Sequence, residues 1–301
     1  MGRALEALRS TPVFIVGDAR SGTTLLYRSL QSHSAFTPRD GINLRESHAI
    51  ELLDSIDPPD LPNRLADFMM DDRRFAAFVD DIAHLRRRRK FVRRRFPYPH
   101  QNRWVWFAAG DHLVVRRYFV AAAEARGAQR LVEKTPQNLQ YVPHLRIAFP
   151  RAKFLYIVRH PVDTFSSYAR RFQLDPENSS WANIDPGPFC ERWKSNTGTA
   201  LEMARHRSSP LLVLRYEDLT QRTETTIRRV LTHVGEPFEE DCLLTRGQGG
   251  KAYWIDPHIS GPVVDETKDW RDYVSIESAQ QVERELASEM ASLGYPSYSE
   301  A

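Results

Sequence analysis

The sequence predicts an α/β domain built on a parallel sheet, and three observations carry that prediction. Short apolar, β-branched runs recur along the chain, each is followed by turn or polar residues, and helical patterns come after them. With 301 residues the chain is long enough for one large domain or two small ones, and can bury a substantial core without metals or disulfides.

Four runs read as buried strands: Val13 to Val16, Leu131-Val132, Phe154 to Val158 and Leu211 to Leu214. Helical patterns follow at about 24 to 33, 138 to 149, 162 to 173 and 223 to 235, the third with Pro161 as a first-turn proline. From 52 to 130 the pattern changes to charged and aromatic segments with Pro58-Pro59 and the proline-rich stretch 96 to 100, which reads as a helical insertion after the first strand–helix unit. The expected organisation is a single domain over 1–301, with 52–130 as an acceptor-side lid or a cap that completes the core. Ligands of such sheets bind at the carboxyl ends of the strands.

Composition narrows the setting. The 42 basic and 39 acidic residues nearly cancel to +3, so local patches matter more than the total. Cys190 and Cys242 lie in unrelated contexts, which suggests neither a zinc site nor a disulfide and fits a reducing cytoplasm. No stretch approaches the ~20 apolar residues of a membrane span, and no apolar segment of signal-peptide length opens the chain.

The stretch GDARSGTT, 17 to 24, lies between the first strand and the first helix, with four residues separating Gly17 from Gly22. Such a turn offers backbone N–H groups and the positive end of a helix dipole to an anion. In nucleotide triphosphatases a lysine follows the second glycine, whereas Thr23 stands here and the nearest cation is Arg20, inside the loop. This chemistry suits a metal-free phosphate ester better than a β,γ-pyrophosphate. The fold expected is therefore a parallel sheet like that of the P-loop NTPases.

The loop resembles the 5′-phosphosulfate loop of the sulfotransferases that use 3′-phosphoadenosine 5′-phosphosulfate (PAPS). The resemblance implies that Arg20, Ser21, Gly22, Thr23 and Thr24 bind the donor's 5′-phosphosulfate. A second segment, 153 to 168, is similar to the family's 3′-phosphate segment, a strand ending in Arg159 with Ser167 eight residues later. An arginine at a strand end gives forked hydrogen bonds to phosphate. Spacing alone does not choose Ser167 over Ser166; the resemblance does. A salt bridge from Arg159 to Asp163 is the purely structural alternative.

Residues 131 to 138, LVEKTPQN, are similar to the EKTP segment of the branch that includes heparan sulfate O-sulfotransferases and many bacterial enzymes. Lys134 then faces the transferring sulfuryl group, unless Glu133 serves as its structural partner. RESHAI, 45 to 50, resembles the segment that supplies the catalytic base, which implies Glu46 as base with His48 assisting. Ala49-Ile50 and Arg45 depart from that pattern, and another branch places the glutamate near Asn43, so the identity of the base stays open.

LRYEDL, 214 to 219, looks like a nucleotide-contacting segment and implies Tyr216. TKDWRDY, 267 to 273, is similar to a segment that closes over the donor and implies Lys268 and Arg271 at the 3′-phosphate. The expected reaction moves a sulfuryl group from PAPS to a hydroxyl, or less favourably an amine, and releases adenosine 3′,5′-bisphosphate with no metal. The sequence leaves a sugar, lipid, phenol, peptide or small metabolite open as the acceptor.

Two readings compete. A kinase-like phosphotransferase needs the missing lysine. A polyanion- or membrane-surface-binding module would act through RRRRKFVRRR, 86 to 95, which places eight cations in ten residues and, if helical, spreads them around every face. Asp71-Asp72 and Asp80-Asp81 permit a salt-bridged exposed helix instead. Nothing in the run has a nucleic-acid-reading motif.

Overall fold

A computed structural model describes residues 11–37, 93–97, 104–108, 116, 119, 130–174, 185–245, 261–262 and 269–298. Its centre is a four-stranded sheet formed by β1 (Val13–Gly17), β4 (Val132–Lys134), β5 (Lys153–Val158) and β6 (Leu211–Arg215) in the order β4-β1-β5-β6. All three pairings are parallel. Val13 lies beside both Val132 and Lys153, Gly17 beside Ile157, and Val158 beside Arg215.

The helices around the sheet are α1 (Thr23–Gln31), α2 (Val142–Ala148), α3 (Pro161–Leu174), α4 (Pro186–Ala204), α5 (Tyr216–Gln221), α6 (Thr223–Val234), α7 (Ile276–Glu285) and α8 (Ala287–Leu293). Because successive side chains of a strand point to opposite faces, each central strand feeds two cores. Phe14, Val16, Phe154, Tyr156 and Val158 pack with residues of α2, α3, α4 and α7 on one face. Val13, Ile15, Leu155 and Ile157 pack with residues of α1, α5 and α6 on the other. Burial on both sides explains why β1 and β5 read as unbroken apolar runs rather than alternating ones.

Two helical stretches follow from local chemistry. α3 begins at Pro161, whose fixed φ and missing N–H suit a first turn. α4 has Asp185 as N-cap, its side chain accepting from Gly187 N, with Pro186 next. Phe189, Cys190, Trp193, Thr197 and Ala200 form the buried stripe of α4. The expected helix from 138 is instead a 3-10 turn (Pro136–Tyr141) leading into α2.

Within the stretch expected to be helical, β2 (Arg93–Pro97) and β3 (Trp104–Ala108) pair as an antiparallel hairpin, Arg94 beside Phe107. The last three cations of the arginine run therefore lie on extended backbone, a departure from the helical reading. The β-branched and aromatic content of 104 to 107 suits a strand. A second short pairing joins β7 (Leu244–Thr245) to β8 (Gly261–Pro262). No described helix is long and apolar enough to cross a membrane.

At the amino edge of the sheet, away from the loop, Arg130 fastens the chain. Its guanidinium donates to Glu236 Oε1 at 2.5 Å, to the Val234 carbonyl at 2.7 Å and to the Thr11 carbonyl, and lies over the Phe36 ring. Truncation leaves a half-buried carboxylate and two carbonyls without their donor. Arg130→Ala is expected to lower unfolding free energy by about 2–4 kcal/mol, read by denaturant titration; a loss below 1 kcal/mol would count against the fastening.

Candidate functional site

The phosphate loop is held by its own backbone. Gly17 comes so close to the neighbouring strand that a Cβ there would sit 2.6 Å from the Ile157 carbonyl oxygen. Gly22 caps α1 with φ 99° in the left-handed region, and a Cβ there would meet the Tyr216 ring at 2.4 Å. Between them Arg20 also has a left-handed backbone, φ 69°. Ser21 is turned inward: its N–H and Oγ both reach the Asp18 carbonyl, the hydroxyl at 2.7 Å. The hydroxyl of Ser21 thus helps to build the loop.

The first N–H groups of α1 have no intrahelical acceptor, as at any helix start, a geometry that favours anions. Thr23 and Thr24 open this helix.

Arg20 extends from the loop and donates through Nε to Ser167 Oγ at 3.0 Å. This contact joins the two segments singled out for the two ends of one donor. Ser166 is buried, whereas Ser167 is half-buried and meets the loop, which distinguishes two serines that spacing could not.

Arg159 directly follows β5, with its guanidinium 4.4 Å from the centre of the Tyr216 ring, a cation–π arrangement. Tyr216 in turn abuts Gly22. Arg20, Ser167, Gly22, Tyr216 and Arg159 therefore form one continuous surface at the carboxyl edge of β1, β5 and β6.

Lys134 is the last residue of β4, beside Ile15 and largely buried. Glu133 precedes it on the opposite sheet face. Its carboxylate accepts from Thr135 Oγ1 and from Asn138 Nδ2, the latter at 2.9 Å. Those two donors satisfy a buried charge from the same short segment. Arg271 is exposed on a 3-10 turn (Trp270–Asp272), over the Trp270 ring and 3.5 Å from Asp269. Glu46, His48 and Lys268 lie outside the described residues.

Sequence reasoning passed over Asp18 and its partners. Asp18 is buried, with Oδ1 accepting from Asn196 Nδ2 at 2.9 Å and lying 3.6 Å from Arg192 Nε, both on α4. Burial pushes its carboxyl up to about 6, against the pull of Arg192 and Asn196. Arg192 also lies over Tyr168, whose hydroxyl burial raises to about 12. The signal was present in part: an acid inside a phosphate loop needs a neutralising neighbour, and the Asp185-Pro186 start and buried stripe of α4 were legible.

A parallel sheet carrying this loop and these cations at its carboxyl edge belongs to the phosphate-loop class of α/β proteins. Residues 12–240 match the model of the sulfotransferase family, and the chain belongs to that family. Among solved structures it is similar to the sulfotransferase domain from the Synechococcus PCC 7002 olefin synthase, at 19% identity and TM-score 0.55, covering 91% of this chain and 95% of that one. It is also similar to the sulfotransferase domain from the curacin biosynthetic pathway, at 16% identity and TM-score 0.52, covering 95% and 98%. These likenesses are of fold. An uncharacterized protein of Aquifex aeolicus (strain VF5) is 24% identical over 249 residues, 77% of this chain and 26% of that protein. The chain thus spans about a quarter of the length of this curated relative.

Asp18 carries a pH prediction. A carboxyl raised in the folded state binds its proton more tightly there than in the unfolded chain, so its contribution to stability is largest at low pH. That contribution declines as pH rises from roughly 4 to 6 and is flat above. Asp18→Asn, which has no proton to lose, is expected to reduce this decline by the order of 2 kcal/mol, at ~1.4 kcal/mol per pH unit. Denaturant titrations of both proteins at pH 4.5 and 7.5 measure it; equal declines would remove Asp18 as the cause.

Proposed function

We propose that the chain transfers a sulfuryl group from PAPS to a hydroxyl-bearing acceptor and releases adenosine 3′,5′-bisphosphate. The observation that carries this reading is the contact of Arg20 Nε with Ser167 Oγ, which spans 147 positions in sequence and unites the two donor segments. The site's chemistry fits an anion with two phosphate ends. Its near carboxylates, Asp18 and Glu133, are held by α4 and by Thr135 and Asn138. Its cations and its backbone donors are at the edge.

In the proposed mechanism the acceptor oxygen attacks sulfur in line, and the bond from sulfur to the bridging oxygen of the donor breaks. Glu46 takes the acceptor's proton, with His48 assisting. Arg20 and Lys134 stabilise charge on the sulfuryl and bridging oxygens, and the N–H groups at Gly22 to Thr24 hold the 5′ end. Arg159 and Ser167 hold the 3′-phosphate, Tyr216 contacts the nucleotide, and Lys268 and Arg271 close over it. The cations come from side chains, so the reaction runs without a metal.

Residues 52–130 supply the acceptor wall of a single domain over 1–301. The acceptor itself is a sugar, lipid, phenol, peptide or small metabolite, and the run Arg86 to Arg95 offers an anionic surface a place to dock. Cys190 and Cys242 are free and buried, burial pushing both thiols up to about 12, which suits a reducing cytoplasm.

The test is calorimetric titration with adenosine 3′,5′-bisphosphate, with ATP and Mg²⁺ as the comparison ligand. Wild type is expected to bind the bisphosphate, and Arg20→Ala and Arg159→Ala each to weaken it by about 10- to 100-fold, the loss of one charged hydrogen-bonding partner. Preference for ATP with Mg²⁺ in a folded protein would instead favour a phosphotransferase.

A further inference from the structure

We propose that the segment 294–298 is a strap that positions Arg159 and Ser167, and so sets how well the site recognises the donor's 3′-phosphate; this rests on the donor reading above. The strap begins where Gly294 ends α8 in the left-handed region, φ 68°. From there four of its residues are tied to the turns that follow β5 and β6.

Toward β6, the Gly294 carbonyl accepts from Arg215 Nη1 at 3.3 Å, and the Arg215 guanidinium lies 4.2 Å from the centre of the Tyr295 ring. Tyr295 OH donates to Glu217 Oε2 at 3.0 Å, and the other oxygen of Glu217 accepts from His160 N at 2.9 Å. Arg215 and Glu217 flank Tyr216, the residue under Arg159.

Toward β5, the strap encloses His160, which is fully buried and immediately follows Arg159. Tyr298 stacks on its ring at 3.7 Å with 9° between planes, and Tyr295 meets it edge-on at 5.2 Å. Nδ1 of His160 accepts from Val162 N at 3.3 Å, so Nε2 carries the proton and donates it to the Pro296 carbonyl at 3.0 Å. The imidazole is therefore a neutral part of the packing, in keeping with burial, which lowers its pKa to about 4.

The strap also grips the start of α3. Tyr298 OH donates to Asp163 Oδ2 at 3.2 Å, in the first turn of that helix. The strap is itself tied down on α7, where Glu283 accepts from Ser297 Oγ at 2.8 Å and from Tyr298 N at 2.5 Å. Ser167 lies four residues after Asp163, on the same helix face. The two residues assigned to the 3′-phosphate thus precede and follow the points where the strap holds α3. The strap's bonds fall on the turns after β5 and β6, beside Arg159 and at the start of α3, and reach the loop 17–24 through Ser167 and Tyr216, so loosening the strap is expected to act first on the 3′ end of the donor.

The experiment compares two ligands, adenosine 3′,5′-bisphosphate and adenosine 5′-phosphosulfate, which lacks the 3′-phosphate. In Tyr298→Ala the affinity for the first is expected to fall about tenfold and that for the second less than about twofold, as small misplacements of positioning groups are costly. Tyr298→Phe, which keeps the stacked ring, is expected to restore most of the preference. Thermal unfolding checks that each variant is folded; if Tyr298→Ala is not, Tyr298→Leu against Tyr298→Phe makes the same comparison. An unchanged preference in a folded variant, or equal losses for both ligands, overturns the strap. A wild type with no preference for the 3′-phosphate overturns the donor reading, and the strap with it.

Discussion

The approach of β1 to β5 at Gly17 governs the carboxyl edge of the sheet. The Ile157 carbonyl occupies the space that a side chain at 17 would need, and this closeness lets the chain turn at once into the loop and back along α1. The same economy recurs at Gly22, where the Tyr216 ring takes the place of a Cβ. Two missing side chains bring β5 and β6, with the residues that end them, against the loop. The site is a consequence of strand spacing before it is a matter of charge.

Charge is then sorted by depth. Guanidiniums stand at the edge, while the carboxylates beside them are drawn inward and given donors: Asp18 by α4, Glu133 by Thr135 and Asn138, Glu217 by Tyr295 and His160 N. A buried acid needs such donors, since a charge left without partners away from water is costly. Helix α4 owes part of its place to this sorting, since Asn196 and Arg192 are the partners Asp18 needs.

The fold was legible because its strands are buried on both faces and carry that fact as unbroken apolar runs. The loop and Arg159 could be singled out because glycine spacing and strand ends survive in sequence, whereas Ser167 and Tyr216 were singled out by resemblance. What was lost is what depends on distant partners: Asp18 is one polar residue in a loop until α4 is laid beside it, and Tyr298 is a late aromatic until His160 is found beneath it. The arginine run misled by composition. A density of cations says nothing of backbone period, and Arg93 to Arg95 fall on a strand paired with 104 to 108. Glu46, His48 and Lys268 rest on resemblance alone.

Arg20 shows what the loop gives up. Its left-handed backbone suits glycine better than any residue with a Cβ, a strain on the order of 1 kcal/mol. A stability-guided redesign scored on folding alone would favour glycine at position 20, and would thereby delete the guanidinium that reaches Ser167. On the proposed donor-binding role of Arg20, position 20 is one where selection for a firmer protein and selection for a working one pull in opposite directions.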